Sequence, residues 1–461
     1  MSAIGLIRFD VEDYLTMASH DALQEILKAM HAIGIAGSYG IVGKKANALL
    51  KGGYREVLEA LVREPALGFH SWSHSEHPTI AEQLESLSYE DAVQAFVERE
   101  AQGVEMVAAA IKMPTYFTQP GANWVPAAVE ALPKLGIDIF FSDAWNSYIV
   151  PLAEPHWLGK VLHLSPPVMT PKPFLLKFPE NWSLALDKLD EAAKEYHNNQ
   201  VFMVMAHPTE LVTTKFWDAV NFAHGATTDH LRPAPLRSRS EQAYTMEAFR
   251  QYLVAAKSHP DIEWVDVNDL KCRIKPLGPV TVDPLRWSNV ALPFQELGPV
   301  VQDDISLSAA QQVYLLAAMI AKPSIPKAVT VPVIMPPLKW EPLEDQSANS
   351  VSVSPHIVRT AARWILQYID RQGRLPALVP WGSNESGMPI EVFAEYASDL
   401  VQKPDALTVM PRTLSLQFLQ YVQDPEHLHW DWPIFPDHFQ PFDLWRQTRA
   451  LVWSFSWAMW K

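Results

Sequence analysis

The sequence predicts an α/β protein built on a mostly parallel sheet or barrel, and three observations carry that prediction. Strand-like and helix-like segments alternate through the first 272 residues, at lengths that suit repeated strand–helix units. Several of the strand-like segments are short apolar runs, such as Ile4-Gly5-Leu6-Ile7 and the stretch 201–206, which read as buried strands. Asp10, His70, Asp143 and His207 each fall just after such a run. The C-terminal ends of strands are where folds of this class collect their chemistry, and a structural histidine has no reason to prefer them.

The elements follow in order. After an acidic loop, Leu23, Ile26, Leu27 and Met30 recur at helical spacing over 22–32, with Ser19 or Asp21 as the cap and Gly34 as the stop. The glycine-bounded run 35–43 reads as a second strand, and helices follow over 44–51 and 55–63. A third strand, 66–69, delivers His70 into a loop. A long helix over 88–109 carries Glu90 and Asp91 in its first turn, where the helix dipole favours acids. Strand 114–117 leads into Thr118-Gln119-Pro120-Gly121. Helix 127–135, strand 137–141 and strand 161–164 come next. Helix 183–197 precedes the strand 201–206 that delivers His207, and helix 246–257 and strand 262–267 close the pattern.

At 461 residues the chain exceeds one ordinary core, so two domains are expected. Five prolines between Pro276 and Pro299 mark 273–304 as a Pro-rich linker that breaks regular elements. Residues 305–461 read as a smaller, mostly helical domain of unknown role, a substrate-gating or dimerisation module. Ser354, Pro355 and Gly373 bound one helix there, with Val358, Ala361, Ile365 and Ile369 as its apolar stripe. A short echo at a fifty-residue offset suggests two degenerate helical repeats, and Trp453, Trp457 and Trp460 read as a core-facing helix stripe.

The net charge of −15 argues against nucleic acid, which needs a basic face. A single cysteine, Cys272, permits no intrachain disulfide. No apolar run approaches a membrane span, and no signal peptide is evident at the N-terminus. The expectation is a soluble cytoplasmic protein that binds neither nucleic acid nor membrane and leaves a homo-oligomer open.

The stretch Leu67-Gly68-Phe69-His70-Ser71-Trp72-Ser73-His74-Ser75-Glu76-His77-Pro78 holds two histidines four apart. On a helical turn they would share one face. Two neutral imidazoles with one carboxylate make a three-ligand divalent-metal site that leaves positions open for water. Arg8-Phe9-Asp10-Val11-Glu12-Asp13-Tyr14 supplies the carboxylate. His77 suits a capping or hydrogen-bonding role.

With these motifs in order, the first 272 residues resemble the polysaccharide deacetylase (NodB-homology) domain of carbohydrate esterase family 4. The family's usual Thr-Phe-Asp-Asp-Gly is met by Arg8 to Tyr14, closer to the Asp-Val-Glu-Asp variant of some bacterial members. Its second strand corresponds to Ala36 through Gly43. Its His-Ser/Thr-x-x-His motif is met in full by His70 to His74, its Arg-Pro-Pro-x-Gly motif by Thr118 to Gly121, and its late histidine by His207.

The resemblance implies a distorted (β/α) barrel of about seven parallel strands. It implies Asp10 as general base, His207 as general acid, and His70 and His74 as metal ligands. The third ligand is Asp13 or Glu12: alternation along a strand favours Glu12, and the family's habitual aspartate favours Asp13. The family's third-motif arginine, which helps to hold the base, is replaced by Thr118, so Asp10 needs another partner, such as Asn123 or Trp124. Gln119, Pro120, Gly121, Trp124 and Asp143 would contact substrate. The implied cofactor is a divalent metal, zinc first, with cobalt or nickel as alternatives. The implied partner is a small or oligomeric N-acetylated carbohydrate, and the implied reaction its deacetylation. Two other readings are a cyclic imide or ureide hydrolase on the same fold, metal-independent in some relatives, and a non-catalytic glycan-binding protein. Retention of Asp10, His70, His74 and His207 together argues against the last.

Overall fold

The computed structural model describes all residues except Met1, 143–147, 151, 172–173, 178–179, 292–295, 323, 344–350, 383 and 428–431, with the side chains of 288–291 and 384–386 also outside the description. The first half contains strands β1 (Ala3–Val11), β2 (Ser38–Ile41), β3 (Ala66–Phe69), β4 (Tyr116–Thr118), β5 (Ile139–Phe141), β6 (Leu152–Leu158), β7 (Val161–Ser165), β8 (Val201–Ala206) and β9 (Ile262–Val265). Helices α1 (Ala18–Ile33), α2 (Gly43–Lys51), α3 (Arg55–Arg63), α4 (Ile80–Leu84), α5 (Tyr89–Ala110), α6 (Ala128–Lys134), α7 (Trp182–Glu195), α8 (Arg239–Ser258) and α9 (Val267–Arg273) connect them.

The strands form a curled, mostly parallel sheet. Its order β7-β5-β4-β3-β2-β1-β8 is parallel throughout, and β9 pairs with the start of β1. The chain just beyond β7 bridges back to β8 through Val168 and Met203, so the two edges nearly meet. Every residue of β1 and of β8 is buried, as expected where helices cover one face and the curl encloses the other. Ile4, Leu6, Tyr116, Phe141, Leu164 and Met203 come from alternate positions of these strands and fill the concave side.

Two glycines shape that interior. Gly40 lies opposite Gly68 in the ladder, and Gly68 lies opposite Tyr116. A Cβ on Gly68 would sit 2.2 Å from the Tyr116 ring, so the missing side chain is what lets the phenol lie across the floor beneath the strand ends.

The second half begins with β10 (Val280–Val282), α10 (Pro284–Ala291), β11 (Val300–Gln302) and β12 (Ile305–Leu307). It continues through α11 (Ala309–Ile320), β13 (Val329–Val331), α12 (Pro355–Gln372), β14 (Leu378–Trp381), β15 (Asn384–Pro389), α13 (Ile390–Gln402), α14 (Phe442–Leu451) and β16 (Ser456–Trp457). The expectation that 273–304 carries no regular element is corrected. Pro284 opens α10, where its missing N–H is one the helix start leaves unpaired anyway. The tryptophan stripe is also corrected. α14 stops at Leu451, and Trp453 lies in a short 3-10 turn, fully buried against Trp340 and Phe418.

The helix bounded by Pro355 and Gly373 forms as α12, with Gly373 in the left-handed region and the four stripe residues buried. α1 begins at Ala18, upstream of the proposed caps, and no side chain caps it. β6, which sequence reading passed over, holds Pro155 and lacks alternation, a pattern that belongs near a sheet edge. It runs antiparallel to β7, and β16 adds to its other side. One continuous buried cluster runs from Ala3 to Phe455.

Candidate metal centre

β1 sets the site. Its alternation places Arg8 and Asp10 on the concave side, and Glu12 follows one residue past its end. His70 follows β3, its backbone N–H bonded to the Ile41 carbonyl at 2.9 Å. The two histidines do not share a helical turn. Ser71 and His74 take φ of 65° and 55°, which no right-handed helix allows. The loop is instead fastened from three sides. The backbone N–H of Gly43 donates to Ser71 and that of Lys44 to Trp72, each at 2.9 Å, while the Trp72 N–H donates to the buried Glu100 carboxylate at 2.7 Å.

Glu12, His70 and His74 meet there, all buried. One oxygen of the Glu12 carboxylate lies 3.3 Å from His70 Nε2 and 2.8 Å from His74 Nε2. The other accepts from the Trp217 indole N–H at 2.7 Å. Among the described residues this is the one group of His, Cys, Asp and Glu whose ligand atoms all fall within 4.8 Å of one another.

The outer nitrogens decide what the inner ones can do. His70 Nδ1 lies 3.1 Å from the Thr118 carbonyl, which can only accept, and the Thr118 hydroxyl bonds the same nitrogen. His74 Nδ1 lies 2.5 Å from Ser75 Oγ, which donates its own proton to Asp218 at 3.3 Å. Both rings therefore carry a proton at Nδ1 and turn Nε2 lone pairs toward a carboxylate oxygen. Lone pairs so close repel unless positive charge sits among them, either a proton on each ring or one cation. The residues present thus fit a divalent cation, with outer partners of the kind that orient metal-bound histidines.

Charge follows the same logic. Burial pushes the Glu12 carboxyl up, but His74, His70 and His207 together hold it well below the usual carboxylate range. Asp218 is pushed up to about 6 by burial and by the charge of Glu12.

Asp13, which the family habit favours as ligand, is turned away. Its carboxylate accepts from the N–H groups of Leu15 and Thr16 at 3.0 and 2.9 Å and from the Thr209 hydroxyl at 2.7 Å. Those bonds fold the chain into the turn that precedes α1. The buried Lys45 ammonium holds the same turn, donating to the Asp13 carbonyl at 2.6 Å and to Ser19 at 2.7 Å, and burial brings its pKa down to about 7.

Asp10 sits beside the cluster. Its partner is Arg8, whose guanidinium donates to Oδ2 at 2.8 Å within a fully buried pair. Arg8 is therefore the partner that holds Asp10, while Thr118 supports His70. His207 follows β8, with Nε2 3.7 Å from Asp10 and Nδ1 3.7 Å from Glu210. Burial pulls its pKa down, but Glu210, Glu12 and Asp10 outweigh that and raise it to about 9.

The remaining candidates scatter. Gln119 donates to the Gly121 carbonyl at 2.7 Å, and Gly121 turns at φ 52°. Pro120 accepts from the Asn123 amide at 2.9 Å, and Asn123 also receives the Ala81 N–H, so it braces this turn rather than Asp10. Trp124 is buried in the core, stacked on Phe140 at 5.2 Å with its N–H committed to Thr448 at 2.8 Å. Neither residue is brought to Asp10. Asp143 lies outside the described residues. His77 bonds Glu82 and the Phe222 carbonyl, each at 2.8 Å.

Sequence reading missed Arg8, Ser75, Trp217, Asp218 and Trp432. Arg8 had a usable signal, its two-residue spacing from Asp10 on one strand. Trp217 and Asp218 lie in a loop without periodicity. Trp432 arrives from the far end of the chain, its ring 5.8 Å from that of His74.

No protein-family model matches the chain, and no curated protein matches it. Among solved structures it is similar to a 4-alpha-glucanotransferase from Thermococcus litoralis, at TM-score 0.42 and 10% identity over 60% of this chain and 41% of that one. It is similar to a CE4 family pseudoenzyme from Bacillus anthracis at 0.33 and 12%, over 58% and 65%. It is also similar to the peptidoglycan deacetylase PdaC from Bacillus subtilis at 0.29 and 12%, over 59% and 90%. The chain thus spans less than two thirds of the first two. At such scores the likeness assigns neither family nor activity, and the functional argument rests on the site.

Proposed function

We propose that this protein is a metal-dependent hydrolase of a carbon–nitrogen amide bond, and that it removes the acetyl group from an N-acetylated sugar. The observation that carries this reading is the buried cluster of Glu12, His70 and His74 beside an Asp10–His207 pair. Glu12, His70 and His74 would hold the cation, zinc, cobalt or nickel. When bound, it would lower the pKa of water and polarise a carbonyl.

The chain's own residues divide the proton work. Arg8 keeps Asp10 in place as a carboxylate able to take a proton from water as its oxygen adds to the acetamide carbon. His207, charged at neutral pH because three carboxylates surround it, gives its proton to the amide nitrogen as the C–N bond breaks. Acetate and a free amine result. Without that second proton the leaving group would be an amine anion, so an acid above neutral pKa suits this step.

Elemental analysis of the purified protein beside His70→Ala/His74→Ala tests the reading. Near-stoichiometric divalent metal in the wild type, lost from the variant, together with acetate release from N-acetylated sugars supports it. Absence of metal even after titration with zinc, cobalt or nickel overturns it.

A further inference from the structure

The Glu12, His70 and His74 side chains are buried, and the cover comes partly from the second half of the chain. Trp432 lies against the rim between the ends of β3 and β4. A Cβ on Gly121 would sit 2.4 Å from its ring, and the His74 ring lies 5.8 Å away, nearly perpendicular. The segment is fastened where it crosses. The N–H groups of His224 and Gly225 donate to the carbonyls of Pro433 and Ile434 at 2.8 and 2.9 Å. Ile434 is fully buried with Trp217 and Phe222. Unlike Trp217, Trp432 remains partly exposed, so it is a wall of the site as well as a packing residue. On the other side, the side chain of His207 retains 13% exposure, against 4% or less for Asp10, Glu12, His70 and His74. His207 is therefore the member of the site most open to solvent, opposite the rim that Trp432 covers.

We propose that Trp432 is a specificity-determining residue: with Gly121 beneath it, it closes the β3–β4 side of the site, so that a small or chain-terminal N-acetylated sugar is accepted and an internal unit of a long glycan is not. This rests on the deacetylase reading above. An internal unit needs two exits for its flanking sugars, and the indole occupies one of them. Glycine at 121 is required for the same contact, because any side chain there would displace the ring.

The test is the chain-length profile of the metal-loaded protein on N-acetylglucosamine oligomers of one to six units, read as acetate released and as the position deacetylated. Wild type is expected to act on short oligomers and on one terminal unit of longer ones. Trp432→Ala is expected to keep its metal and to raise kcat/KM on internal units of the hexamer about tenfold or more, with Trp432→Phe intermediate and serving as the milder change should the alanine variant fold poorly. An unchanged profile in a metal-loaded variant, or internal deacetylation by wild type, overturns the proposal. If neither protein releases acetate, the hydrolase reading fails separately. Calorimetric titration of the same oligomers then decides the roof: length-dependent affinity that flattens in Trp432→Ala supports it, and identical or absent binding in both overturns it.

Discussion

His207 holds its proton because Glu210, Glu12 and Asp10 outweigh the burial that would remove it. Its folded pKa of about 9 stands above the ordinary histidine value, so the stability it contributes is complete below about pH 6.5 and is lost as pH rises through about 9. The same proton is the one proposed for the leaving amine. kcat/KM is therefore predicted to fall about tenfold per pH unit above a limb at or below about 9, since a bound cation would repel the imidazolium and lower that limb. A pH–rate profile of the wild type beside His207→Asn checks this, and an alkaline limb unchanged in the variant would refute the assignment. Asp10 and His70 were readable because each is a chemical residue type at a strand end, and His74 because it follows His70 at a recognisable spacing. Alternation along β1 pointed to Glu12, but the exclusion of Asp13 was not readable: it depends on where β1 stops and on three hydrogen bonds that commit Asp13 to its turn.

At the scale of elements, local periodicity located α2 and α3 almost to the residue and most of the parallel strands. It failed where long-range contact decides the conformation. The His70–His74 loop has helical spacing but is held open by Glu100 and by the start of α2, both distant in sequence. β6 has no periodicity and exists because β7 and β16 flank it. The floor of the curl offers a sharper case. Gly68 makes room for Tyr116, and Gly68→Ala would drive a methyl group into that ring. Overpacking of this kind costs roughly 1–3 kcal/mol. A lower midpoint of denaturant unfolding, with an unchanged slope, is the expected result, and an unchanged midpoint would show that Tyr116 yields without cost.

For the whole molecule, the composition pointed to two bodies joined by a Pro-rich linker, and no local signal shows how they meet. β16 pairs with β6, Trp124 donates to Thr448, and Arg374 pairs with Glu130 at 2.9 Å, so the second half touches the first at several separate places. The buried cluster shared by both halves predicts one cooperative unfolding transition. Differential scanning calorimetry checks it, and two resolved transitions would contradict it. The order of the contacts along the chain has a temporal consequence. Glu12, His70 and His74 leave the ribosome well before Trp432 and β16, which lie several hundred residues further along the chain. At elongation rates of about 5–20 residues per second, the interval is on the order of tens of seconds. Throughout it the nascent site lacks its cover, and the selectivity proposed for Trp432 becomes available only once that later segment has been made and has packed against Gly121.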